Sequence, residues 1–304
     1  MGELHDKLVD LGRERLLRRV QDRRDKRLVE IAAEAMGDDR QCEVFSHPGL
    51  CLTFLPHRQR PADEVWERTS GPWTLTVQPL HRHGGRLGVP YGPKARLIVL
   101  FLQTEAILTN SRVIELGRSM RSWLTLMGVS VGGKTYREVR AQAQRIEQAH
   151  LTVAYKGERA TAVWQDSLVR GSLCPHVEDD GVHTVELSES FFRAVTQRPV
   201  PLAESAIRSL GERCMALDTY LWLAYRLHHL DAPLDVSWPA LHAQFGGEIT
   251  LLKHFKPIFR RELGAALAAY PDARADATER GVRLYPSPPP IKRALVRNQT
   301  PALS

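Results

Sequence analysis

The stretch Gly128-Val129-Ser130-Val131-Gly132-Gly133-Lys134-Thr135 separates two kinds of fold. It satisfies G-x-x-x-x-G-K-[ST], the phosphate-cradling loop of nucleotide hydrolases. That loop must emerge from a buried strand at the carboxyl edge of a parallel sheet. Here Gly128 follows Ser122-Trp123-Leu124-Thr125-Leu126-Met127, and Met120, Trp123, Leu124 and Met127 recur at helical spacing. The apolar run 97–102 is followed by Gln103, no strand ending in Asp follows the motif, and the alternating β-α order of a doubly wound fold is missing. The stretch therefore reads as a turn between two helices, with Lys134 and Thr135 opening the second. A P-loop NTPase using residues 128–135 is the alternative.

Taken in order, residues 4–36 read as one helix, with Leu8, Leu17, Val20, Ile31 and Ala35 at roughly helical spacing. Between Arg13 and Arg27 lie eight basic and three acidic residues, but residues 1–36 net only +1. That balance fits a solvated helix with internal ion pairs better than a DNA-touching arm. Residues 40–72, rich in turn residues such as Pro48, Pro56 and Pro61, read as a loose linker with short strands. Residues 73–80 alternate as a strand, and His81-Arg82-His83-Gly84-Gly85-Arg86 reads as a turn. The run 97–102, apolar on every face, marks a buried helix over 94–109. A short strand (112–116), a helix (118–127), a second helix (134–150) and a hairpin (151–155 with 161–168) follow. Residues 182–187 add a strand, and Ser188 caps a short helix over 189–195.

Helix, short strand, helix, turn, helix, hairpin is the plan of a winged helix-turn-helix. In it the helix after the turn enters the major groove and the hairpin rests on the adjacent backbone. The order recurs as a helix over 214–230, a strand over 234–236, a helix over 238–245 ended by Gly246-Gly247, a helix over 251–270 and a hairpin around Glu279-Arg280-Gly281. Residues 94–170 and 214–285 thus read as two copies of one plan. Pro257 falls inside the last helix and predicts a kink or a start displaced to near His254. Residues 286–290 end the fold, and residues 291–304, with Lys292, Arg293 and Arg297, read as a flexible basic tail.

Charge follows this division. The chain carries +7 overall, and residues 112–170 hold ten Lys/Arg against five Asp/Glu, a net +5. Residues 171–250 hold five against eleven, a net −6, and residues 251–304 ten against four, a net +6. Two basic blocks around an acidic one predict two surfaces facing a polyanion. No apolar run is long enough for a membrane span, and the charged N-terminus lacks a signal-peptide core. Cys42, Cys51, Cys174 and Cys214 show no C-x-x-C spacing, which predicts a reduced cytoplasmic protein. Cys42, His47, Cys51 and His57 match no familiar zinc spacing, so neither metal nor cofactor is expected.

Many short segments, in order, match the pattern of one known family. They include Leu87-Gly88-Val89-Pro90-Tyr91-Gly92, Thr104-Glu105-Ala106, Ile114-Glu115-Leu116-Gly117 and Gly132-Gly133-Lys134. They continue with residues 185–192, Leu217-Asp218-Thr219-Tyr220-Leu221-Trp222-Leu223, residues 237–246, Tyr270-Pro271-Asp272-Ala273-Arg274 and Pro286-Ser287-Pro288-Pro289. These segments resemble RepA-type plasmid replication initiators, and the resemblance runs from about residue 75 to 290 and leaves the N-terminal 70 residues uncovered. It implies a non-enzymatic cytoplasmic initiator that binds repeated double-stranded sites at a plasmid origin. Host replication proteins, an initiator and a helicase among them, would be its partners, and a homodimer is compatible with it. A winged-helix transcription regulator would share the fold and differ in the site bound.

The expected fold is α+β: tandem winged helix-turn-helix domains with an N-terminal helix. The divisions are 1–72 (N-terminal helix and linker), 73–200 and 201–290 (the two winged-helix domains) and 291–304 (the tail). Candidate DNA-binding residues are Lys134, Thr135, Arg137, Arg140 and Gln144 in the first module and Lys253, Lys256, Arg260 and Arg261 in the second. Lys156, Arg159, Arg280 and Arg283 are the wing candidates, expected mainly on phosphates. Lys and Arg supply salt-dependent affinity, and Arg also reads guanine edges.

Overall fold

Three helices, where one was expected, open the chain: α1 (Glu3–Leu11), α2 (Arg13–Arg19) and α3 (Arg23–Met36). The computed structural model describes residues 2–38, 43–80, 85, 87–157, 161–174, 182–247 and 249–291. Cys42, the turn residues 81–84 and 86, Arg159 and residues 292–304 of the basic tail lie outside them. The expected single helix is broken at Gly12, at φ 73°, and at Val20, which is extended. Asp22 restarts it by accepting the Arg24 N–H. The breaks fold the segment back, so that Leu8, Leu16, Val29, Ile31 and Ala32 all reach one core.

The segment read as a loose linker is built into the fold. β1 (Glu43–Ser46) is followed by α4 (Pro48–Leu52), β2 (Trp66–Ser70) and β3 (Trp73–Pro79). Pro48 occupies the first turn of α4, where a missing N–H costs nothing. Next come α5 (Gly92–Thr109), β4 (Val113–Gly117), α6 (Met120–Leu126) and α7 (Gly133–Glu147). β5 (Ala149–Lys156), β6 (Thr161–Ser167), β7 (Val169–Arg170), β8 (His183–Leu187) and α8 (Glu189–Gln197) complete this half. The rest comprises β9 (Val200–Ala203), α9 (Glu204–Leu210), α10 (Cys214–Arg226), β10 (Leu234–Ser237), α11 (Trp238–Phe245), α12 (Leu252–Ala268), β11 (Ala275–Ala277) and β12 (Gly281–Leu284).

The architecture is mixed α+β with small sheets in the orders β2-β3-β5-β6, β4-β8-β7, β10-β12-β11 and β1-β9. Every strand pair among the described residues is antiparallel. The helix–strand–helix–turn–helix–hairpin order occurs twice, but the pairing differs between the copies. In the second copy β10 pairs with β12 of the hairpin. In the first, β4 pairs with β8, and the β5–β6 hairpin joins β3. Pro257 lies inside α12, which begins at Leu252, so the start is not displaced to His254. Its missing N–H leaves the Lys253 carbonyl without a helical donor.

Two apolar cores organise the chain. Leu75, Val77, Trp123, Val139, Ile146, Leu151, Val153 and Phe191 belong to the first. Leu217, Trp222, Trp238, Phe255, Phe259 and Leu284 belong to the second, together with the buried residues of α1–α3. Each such side chain contributes about 1.5–3 kcal/mol by leaving water. The apolar run of α5, residues 97–102, covers every face because the helix lies between the cores: Ile98 and Leu102 pack in the first, Leu100 in the second. Among the described residues no helix is long and apolar enough to cross a membrane.

Candidate nucleic-acid interface

Ser119 starts α6 with a capping box: its hydroxyl accepts the Ser122 N–H, and the Ser122 hydroxyl accepts the Ser119 N–H. The helix ends through Gly128, at φ 65°, whose N–H donates to Thr125 O, while the Val129 N–H donates to Leu124 O. That is the left-handed helix ending glycine permits. Gly132 is extended and precedes α7 with no side chain capping its first amides. Gly128 through Thr135 thus span the end of one helix and the start of the next. The P-loop alternative lacks its geometry, because a helix precedes the first glycine and the paired strands are antiparallel.

α7 buries Val139, Gln142, Ala143 and Ile146. Gln142 is held by accepting the Tyr91 N–H at 2.9 Å. On the outer side Lys134, Arg137 and Arg140 are exposed, and Thr135 and Gln144 are half-buried. Arg137, Arg140 and Gln144 fall at i, i+3 and i+7, one stripe along the helix. Lys134 makes only a 3.8 Å ion pair with Glu138 and leaves most of its ammonium to solvent.

α12 repeats the arrangement. Phe255, Phe259 and Leu263 face inward, and Lys253, Arg260 and Arg261 are exposed. Trp238 of α11 is buried beneath this basic edge. The Arg260 guanidinium lies 4.9 Å and the half-buried Lys256 ammonium 5.9 Å from its ring centroid. The Trp238 indole N–H donates to Thr278 O and Glu279 O, tying α11 to the hairpin turn. Arg260 also donates to Thr278 O at 3.3 Å. Arg261 instead leans on Glu262 at 2.8 Å, and Glu262 also holds Arg213.

The wing candidates divide. Lys156 is exposed at the end of β5, and Arg280 is exposed on the β11–β12 turn. Arg283 makes a bidentate cross-strand pair with Asp235, at 2.8 and 2.6 Å. That contact raises the Arg283 pKa and lowers the Asp235 carboxyl below its ordinary value. Arg118 and Arg121, exposed around the start of α6, were not among the candidates. Their signal was their place just before and within the helix preceding the turn, which in this plan crosses the DNA backbone. The arginines of α2, expected to be laced with ion pairs, are exposed, and the pairs of the N-terminal helices among the described residues include Lys7 with Glu3, Arg27 with Glu30 and Glu34 with Arg208 of α9.

Taken together, the chain is a mixed α+β protein that presents two basic helices, each following a tight turn and each backed by its own core. Residues 89–237 match the family model of plasmid-encoded RepA protein, and through that stretch the chain is similar to the RepA family. Its fold is similar to the crystal structure of domains 2 and 3 of RctB in a selenomethionine derivative. The TM-score is 0.51 and the identity 12%, over 81% of this chain and 98% of the other. A second crystal structure of RctB domains 2–3, residues 155–483, gives 0.47 and 12% over 78% and 94%. No curated protein sequence matches the chain.

Proposed function

We propose that the protein is a plasmid replication initiator. It binds repeated double-stranded DNA sites at the replication origin through two winged-helix modules and recruits host replication proteins, an initiator and a helicase among them. The observation that carries this reading is the repeated basic helix behind a tight turn, α7 and α12, each followed by a hairpin. The match of residues 89–237 to the RepA family model supports the plasmid context. The modules are residues 73–200 and 201–290, and β2 of the preceding segment completes the first module's sheet. Lys134, Thr135, Arg137, Arg140 and Gln144 of α7, with Lys253, Lys256 and Arg260 of α12, face the grooves. Lys156, Arg159 and Arg280 hold flanking phosphates, and Arg261 and Arg283 add to these by exchanging their carboxylate partners for phosphate.

Footprinting on the DNA around the protein's own plasmid origin tests the proposal. Several evenly spaced protected repeats are expected, with affinity falling roughly a thousandfold or more from low to moderate salt. Arg280→Ala should weaken binding on all sequences and lower the salt slope by about one. A single protected site over a promoter would instead favour a winged-helix regulator. Absence of protection, or flat salt dependence, would remove DNA binding from the reading.

A further inference from the structure

A buried polar network joins the two halves. Arg96 of α5 and Asp218 of α10 are 5% and 1% exposed. Arg96 donates to both Asp218 oxygens at 2.7 Å. Its remaining N–H groups donate to Leu55 O at 2.6 Å, Gly92 O at 3.0 Å and Pro56 O at 3.1 Å. All five donors of the guanidinium are thereby used. His57 Nε2 lies 2.8 Å from Asp218 on the partly open side. Burial alone would push the Asp218 carboxyl up, but Arg96 and His57 hold it below its ordinary value.

Further ties run along the same seam. Lys94 of α5 pairs with Glu212, just before α10. Arg68 of β2 donates to Ala243 O in the last turn of α11 at 2.7 Å, and Gln244 donates to Leu52 O at 3.0 Å. A buried ion pair adds little net stability over an apolar contact of similar shape, whereas its fork geometry admits one relative orientation. α7 packs on α5, and α12 packs on α10. Fixing α5 against α10 therefore fixes α7 against α12.

We propose that Arg96, Asp218 and His57 are positioning residues that hold the two basic helices at one separation and one rotational phase. The protein then accepts a single spacing between the two half-sites it reads. This rests on the DNA-reading function proposed above. A rigid pair of readers tolerates no insertion out of helical phase, because each added base pair rotates one half-site away from its helix. A flexible pair would follow the DNA.

The experiment selects bound duplexes from a randomised pool with the full chain and reads the distances between enriched half-sites. One dominant spacing is expected. Inserting about five base pairs, half a helical turn, into the selected site should cost roughly tenfold or more in affinity. His57→Ala and Asp218→Asn should broaden the spacing distribution and shrink the insertion penalty to within about threefold, with the salt slope at the original site unchanged. If Asp218→Asn fails to fold, His57→Ala, on the partly open side, carries the comparison. Several equal spacings for the unmodified protein would overturn the proposal, as would a single spacing retained in a folded variant. Enrichment of no sequence at all would instead overturn DNA reading itself.

Discussion

His47 shows how one side chain makes this fold sensitive to acid. Its Nδ1 accepts the Gly49 N–H and caps α4, and its ring meets Trp73 edge-on at 5.4 Å between centroids. Burial pushes its pKa down from 6.5 to about 4. Above pH 6.5 the ring is neutral both folded and unfolded, and the cap is fully present. Between pH 6.5 and about 4 the unfolded chain binds a proton that the folded chain refuses. Stability therefore falls toward acid, by up to roughly 3 kcal/mol from this group. Burial depresses His5 in the same direction, so the readout is a difference between proteins. His47→Asn keeps a capping acceptor without the titration. Urea unfolding at neutral pH and near pH 5 should show a shallower loss in the variant, and equal losses would assign the effect elsewhere. At this scale the sequence revealed which Lys and Arg face outward, because helical period alone decides that for Lys134, Arg137 and Arg260. It could not show that Arg283 is tied to Asp235, or Arg96 to Asp218, since those pairings exist only after distant segments meet.

At the scale of elements, the glycines distinguish a helix-ending turn from a phosphate loop. Gly281 opens β12 where an added Cβ would lie 1.9 Å from Val236 O and 2.8 Å from Ser237 Cα. Gly281→Ala should therefore disrupt the β10–β12 pairing and markedly lower the melting temperature. Gly128 faces open space, and Gly128→Ala should cost only about 1 kcal/mol for its positive φ. Gly133, in the first turn of α7 where an added Cβ would meet open space, should accept Ala with unchanged or slightly raised stability. A Gly281→Ala protein that melts like the unmodified one would mean that the hairpin does not need this contact. α5, α7, α10, α11, α12 and the β5–β6 hairpin were legible because local period and turn residues specify them. β1 and α4 were not, because β1 is a strand only by pairing with β9, far along the chain, and the Phe45 and His47 N–H groups donate to the Thr104 hydroxyl and the Gln103 side-chain carbonyl of α5. The first helix was misread because apolar spacing continues across Gly12.

In the whole molecule, the N-terminal helices are part of the second core. His5 donates to Ala268 O at 3.0 Å, and α3 packs on α9 and α12. Leu8, Leu16, Val29 and Ile31 together bury apolar surface of the order of a domain's entire net stability, about 5–15 kcal/mol. Removing residues 1–38 should thus strip protection from α10 and α12 in hydrogen exchange while α7 and β5 stay protected. Uniform loss across both halves would mean that the cores unfold together. Composition and order made two copies visible in the sequence, but the sharing of a core between the first and last thirds required the fold. That sharing has a consequence for how the protein is made. The chain between Met36 and Cys214 takes roughly ten to forty seconds to synthesise. Throughout that time α1–α3 have emerged from the ribosome without the helices that cover them. Segments made far apart in time thus close one core, and the apolar stripe of α1–α3 waits for α9 and α12 before it is covered.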